Sequence, residues 1–118
     1  MTATDSRGRS KERYQRLLRV LDHNTTEQQP PAARRTSIKH IMCMAGYEPD
    51  PVAKSIRVAC ERNDIWSLTG PDGVARLAPM TETDLQRVIE WLVEQEHPHK
   101  ELIGEANRRL QEVRDDAE

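Results

Sequence analysis

The 118-residue chain has no phenylalanine, and two Trp and two Tyr are its only aromatic residues. With 36% apolar and 32% charged residues, few large rigid side chains are left to fill a core. The length suits one small domain with a thin core and an appended helix, and excludes two independent cores. Cysteine is nearly absent as well. Cys43 and Cys60 each sit among apolar neighbours and read as small core residues, so no disulfide framework is expected. No run approaches the ~20 apolar residues of a membrane span, and charges scattered from Asp5 to Arg19 leave no apolar core for a signal peptide. These absences predict a cytoplasmic protein with no membrane partner.

Catalytic signatures are missing too. There is no Cys-x-x-Cys, no glycine-rich phosphate loop and no carboxylate pair beside a strand end, so neither an enzyme nor a cofactor is expected. His97 and His99 flank Pro98 near Glu94, Glu96 and Glu101, but His-Pro-His lacks the helical spacing that converges ligands; we read a solvated helix break and no metal. His40 and Cys43 are three apart, and packing explains that pair better than nucleophilic chemistry.

What is present is an uneven charge distribution. The net charge is −2, yet residues 1–40 carry nine Lys/Arg against four Asp/Glu, and residues 81–118 carry five against eleven. One basic face and one acidic face follow.

Residues 1–9 read as a flexible basic arm. Ser10 then caps a helix in which Tyr14, Leu17, Leu18 and Leu21 form one apolar face. Residues 24–36, with Pro30 and Pro31, read as a long loop. A short helix over 37–45 buries Ile38, Ile41, Met42 and Ala45, and Gly46 stops it. Asp50 as N-cap and Pro51 in the first turn open a helix over 51–62, with Val52, Ile56, Ala59 and Cys60 inward and Asn63 at its end. Ile65–Leu68 and Val74–Leu77 read as strands around the tip Thr-Gly-Pro-Asp-Gly. A helix over 83–96, capped by Thr81 or Thr83, carries Leu85, Val88, Ile89, Leu92 and Val93. A last helix over 99–115 turns Leu102, Ile103, Ala106, Leu110 and Val113 inward. The fold class is therefore mainly α with a small β-hairpin.

From Ser37 to Leu77 the chain resembles winged helix-turn-helix regulators of the MarR-like and phage or archaeal repressor type. The resemblance rests on Ala45, Gly46 and Tyr47, the turn Glu48–Asp50, then Val52 and Ile56, with Asn63 and Ile65 following without a gap. It implies a winged helix-turn-helix domain over 10–96 and a C-terminal helical extension over 97–118. It further implies a transcriptional regulator, with repression by occlusion as the simplest mode, that places helix 51–62 in the major groove of double-stranded DNA.

The residues expected to touch DNA are Lys54, Ser55 and Arg57 on that helix, Arg34, Arg35 and Lys39 at the entry to the preceding one, and Arg76 on the wing. Arginine suits guanine or phosphate, and lysine a phosphate or guanine. The arm, with Arg7, Arg9 and Lys11, could add backbone contacts. Ile103, Ala106, Leu110 and Val113 step by three, four and three, the spacing of a two-helix seam, which predicts a homodimer through the last helices, with folding back onto the chain's own domain as the alternative. Trp91, off the main stripe of its helix, is expected at the same subunit interface, where Trp is enriched.

A second reading comes from another class. Regulators of this type usually carry a Ser/Thr-rich turn that touches phosphate, where this chain has Glu48, Pro49, Asp50 and Pro51. The hairpin holds a single cation, Arg76, beside Asp72. Both features favour a winged-helix protein-interaction adaptor that does not bind DNA.

Overall fold

Alternation along two short strands decides how the chain packs. A computed structural model describes residues 3–116, with side chains from residue 9 onward. Within these bounds the order is α1 (Ala3–His23), β1 (Ala33–Arg34), α2 (Arg35–Met44), α3 (Pro49–Glu61), β2 (Ile65–Thr69), β3 (Ala75–Pro79), α4 (Glu82–Val93) and α5 (Lys100–Asp116). The described chain is thus mainly helical, with a small antiparallel sheet of strand order β1-β3-β2. No described helix is long and apolar enough to cross a membrane.

Side chains on a strand point alternately to the two faces of the sheet, and here both faces are covered. Ile65 and Leu77 join Leu17, Leu21, Ile38, Met42, Val52 and Ile56 in a first core made with α1, α2 and α3. Trp66, Leu68 and Ala78 join Leu85, Val88, Leu92, Ala106 and Leu110 in a second core made with α4 and α5. The pairings Trp66–Ala78 and Leu68–Arg76 keep second-core residues on one face. Ser67–Leu77 and Leu77–Ala33 lie on the other.

α1 begins at Ala3 instead of at a Ser10 cap, so the helix takes in most of the stretch expected as a flexible arm. The side chain of Arg7 lies outside the described residues. The stretch 24–36, expected to be a plain loop, contains β1 and is tied down. Arg87 on α4 donates to the carbonyls of Thr25, Thr26 and Gln29, and the buried Thr25 hydroxyl donates to the Leu21 carbonyl at 2.9 Å. Short apolar periodicity could not announce a two-residue strand whose stability comes from its partner β3.

Helix ends follow local chemistry. Gly46 has φ +101°, which lets the chain turn from α2 into α3, and its N–H donates to Cys43. Asn63 ends α3 in the left-handed conformation at φ 61°, as its residue type favours. The N-cap of α3 is Glu48 without a side-chain bond, and Asp50 lies inside the first turn instead of capping. Thr81 caps α4 by accepting from the Asp84 N–H at 3.1 Å. Two residues read as inward, Ala45 and Val93, are exposed.

α5 lies antiparallel on α4, as the 3.0 Å bridge from Arg114 near one end of α5 to Glu82 at the start of α4 requires. Ala106 and Leu110 are buried in this seam. Burial of a leucine contributes about 1.5–3 kcal/mol, whereas an exposed ion pair contributes roughly 0–1 kcal/mol. The apolar seam therefore holds α5 in place, and the bridge adds little. The stripe expected to form a subunit interface is largely spent within its own chain, because α4 offers the complementary face that the second core needs.

Arg76 is the polar pin between these layers. It is 7% exposed, donates to the Ala32 carbonyl at 2.8 Å and to Asp72 at 2.9 Å, and lies 5.3 Å from the Trp91 ring centroid. Gly70 gives it room, since a Cβ there would stand 3.1 Å from the arginine side chain. The guanidinium also holds the Asp72 carboxyl below its ordinary value, through the hydrogen bond between them. Arg76→Met should cost about 2–3 kcal/mol, from the orphaned Ala32 carbonyl and the lost stacking. A lowered urea midpoint measures this, and carbon-detected NMR titration should show the Asp72 carboxyl moving up toward its ordinary value, with the Val74 N–H still holding it down in part.

Candidate nucleic-acid interface

α3 presents its outward side because its inward side is committed. Val52, Ser55, Ile56 and Ala59 are buried at spacings of three, four and seven, which sets Lys54 and Arg57 on the exposed surface. The tight turn at Gly46 and the shared contacts of Ile38, Met42, Val52 and Ile56 fix α2 against α3. This arrangement carries Arg35, in the first turn of α2, to the same place as the α3 cations. Arg35, Lys54 and Arg57 border one open depression of about 650 Å³, together with Asp50, Cys60 and Ser67. Among the described residues, none of these three cations forms an ion pair or a side-chain hydrogen bond.

Three cations around one concavity, opposed by one carboxylate, form a surface that attracts anions. Arg57 and Arg35 can offer forked donors, and Lys54 a compact charge. Asp50 at the rim repels phosphate but can accept a hydrogen bond, as from a cytosine amino group. Burial pushes the Cys60 thiol up from its ordinary value. Half-buried, Cys60 lines the depression beside Ser67.

The other expected contact residues fare differently. Ser55 is 5% exposed, and its hydroxyl accepts from Arg13 Nε at 2.8 Å, so it joins α3 to α1 and does not face a groove. Arg76 is withdrawn into the second core. Arg34 is exposed, but it pairs with Arg76 across β1 and β3 and so projects from the sheet face opposite Leu77. Lys39 is half-buried on α2 and does not border the depression. Of the residues expected at a subunit interface, Ala106 and Leu110 are covered by α4. Ile103 and Val113 are half-buried at the seam's edge, and Trp91 is half-buried beneath Arg76. His99 caps α5, its Nδ1 accepting from the Leu102 N–H at 3.2 Å.

Sequence reasoning missed Ser67 and Asp50 as lining residues, and missed Arg13 and Tyr14 as the ties that orient α3. Only for Ser55 was a signal available, since it shares the spacing of the buried stripe. The Tyr14 hydroxyl donates to Asp64 just beyond α3, and Arg62 lies 5.1 Å over the Tyr14 ring. Comparison with protein-family models, with curated proteins and with solved structures finds no match to this chain.

Burial, followed by the bond to Asp64, pushes the Tyr14 phenol up from 10.0 to about 12. The folded state thus disfavours phenolate, so stability is full below pH 10 and falls between pH 10 and about 12. In a spectrophotometric titration, the wild-type minus Tyr14→Phe difference should show one phenol ionising near pH 12 instead of 10. Ser55→Ala should lower stability by about 1 kcal/mol in urea unfolding by removing the acceptor of Arg13. The same variant should leave anion binding at the α3 depression unchanged.

Proposed function

We propose that the chain is a winged helix-turn-helix domain with a C-terminal helical extension, and that it binds double-stranded DNA as a small cytoplasmic transcriptional regulator. One observation carries the reading. Arg35 of α2 meets Lys54 and Arg57 of α3 around one depression on the outward side of the helix that follows the Gly46 turn, and among the described residues none of the three has an ion-pair partner. A helix presented in this way fits the major groove, with Arg57 reading a base edge and Lys54 and Arg35 meeting phosphates. The acidic excess of α4 and α5 keeps the far end of the molecule off the duplex. Repression by occlusion needs no further element.

Two copies would set two such helices on a two-fold symmetric site. For that contact Ile103 and Val113 keep part of their surface, whereas Ala106 and Leu110 do not. The adaptor reading has its own support. Asp50 stands at the rim of the depression, and with Arg76 internal the hairpin carries no free cation.

Fluorescence anisotropy with a labelled random-sequence duplex, from about 50 to 300 mM salt, separates the two readings. Wild type should bind with a log–log salt slope of about −3, one counterion for each of the three cations. Lys54→Ala/Arg57→Ala should abolish that binding. On a specific site Arg57→Ala alone should cost about 1–3 kcal/mol. Absence of binding at the lowest salt overturns the DNA reading and leaves the adaptor.

A further inference from the structure

Asp50 is the one carboxylate that lines the α3 depression, opposite Arg35, Lys54 and Arg57. It stands exposed in the first turn of α3. Among the described residues it forms no ion pair, although Lys54 follows it by one helical turn. Glu48 is the N-cap of the helix, so Asp50 is not engaged there either. Its two oxygens keep their accepting capacity at a surface where every other charge is positive.

Toward the backbone of a duplex this carboxylate is a liability, because it repels phosphate. Toward base edges it discriminates. In the major groove guanine offers acceptors, thymine an acceptor and a methyl group, and adenine an acceptor beside its amino group. Cytosine alone offers a donor with no acceptor on the same base. An acceptor-only side chain thus meets repulsion from three bases and an unopposed hydrogen bond from one.

The neighbours on α3 extend this pattern. Asp50, Ala53, Lys54 and Arg57 follow one another along the face that lines the depression. Half-buried Ala53 offers a methyl group that suits a thymine methyl, and Arg57 a fork that suits guanine. At about 1.5 Å per residue, Asp50 and Arg57 stand about 10 Å apart along the helix, no more than about three base-pair steps of about 3.4 Å.

We propose that Asp50 is a specificity-determining residue, which selects a cytosine no more than about three steps from the guanine met by Arg57 and suppresses binding to unselected duplex. The inference rests on the DNA reading of this same face.

The experiment is repeated selection by the full chain from a pool of duplexes with a randomised core. Wild type should enrich a cytosine and a guanine at fixed spacing. Asp50→Asn should exchange that cytosine for adenine, whose amino group and N7 pair with an amide, and should leave the guanine in place. Arg57→Ala should release the guanine and keep the cytosine. On labelled random-sequence duplex, Asp50→Asn should bind about fivefold more tightly than wild type, because a phosphate is no longer repelled. An Asp50 that serves only the helix dipole would shift the urea midpoint and neither of these readouts. A consensus that Asp50→Asn leaves unchanged overturns the selective role, and an unchanged random-duplex affinity overturns the suppression. In both cases duplex binding by wild type leaves the DNA reading standing. Absence of wild-type binding at the lowest salt overturns both readings.

Discussion

Leu77 and Ala78 are neighbours in sequence, yet they close different cores. Leu77 meets α1, α2 and α3, and Ala78 meets α4 and α5. The whole structure hangs on this alternation in β3, because it lets one small sheet carry apolar side chains to helices on both of its faces. It builds two shallow ones against opposite faces of a small sheet. A shift of β3 by one residue would exchange the faces and lose both cores at once. Arg76 ties β3 to the segment before β1 through its bond to the Ala32 carbonyl.

This division of labour shapes the candidate interface. The first core consumes the inward stripe of α3 and, through the Arg13–Ser55 bond, its flank toward α1. The surface that remains carries Lys54 and Arg57. The second core stands behind the sheet and takes Trp91, Ala106 and Leu110, three of the side chains suited to a subunit contact. The helical extension therefore buttresses the domain. It gives β2 and β3 a covered back face, so the sheet is an internal layer and the hairpin is not a free arm.

Charge follows the same partition. Three cations of the first forty residues lie beside α3: Arg35 is brought to Lys54 and Arg57, and Lys11 and Arg13 line the cavity between α1 and α3. Most acids of the last third lie on α4 and α5, several of them paired along the helix or between helices, as in Glu105–Arg109 and Glu82–Arg114. The exposed pairs contribute little stability. Their larger effect is to make the two ends of the molecule electrostatically unlike, which orients any encounter with an anionic partner.

The sequence by itself determined the elements and their punctuation. Period-3.6 stripes mark the helices, Gly46 and Asn63 end two of them, and Thr-Gly-Pro-Asp-Gly makes the hairpin, because each signal is local and acts through backbone conformation or one face of a helix. The outward position of Lys54 and Arg57 was legible for the same reason, and the burial of Ser55 could have been. Tertiary structure alone decided the rest. Ala33 and Arg34 form a strand only because β3 lies beside them. Arg76 turns inward only because α4 covers the back of the sheet, and Ala106 and Leu110 find their partner in α4 before any second copy could supply one. Arg35 joins α3 through the Gly46 turn, at a distance no residue spacing reveals. In each case burial against another element outweighs what the residue prefers alone, and that partner is not written in the local pattern.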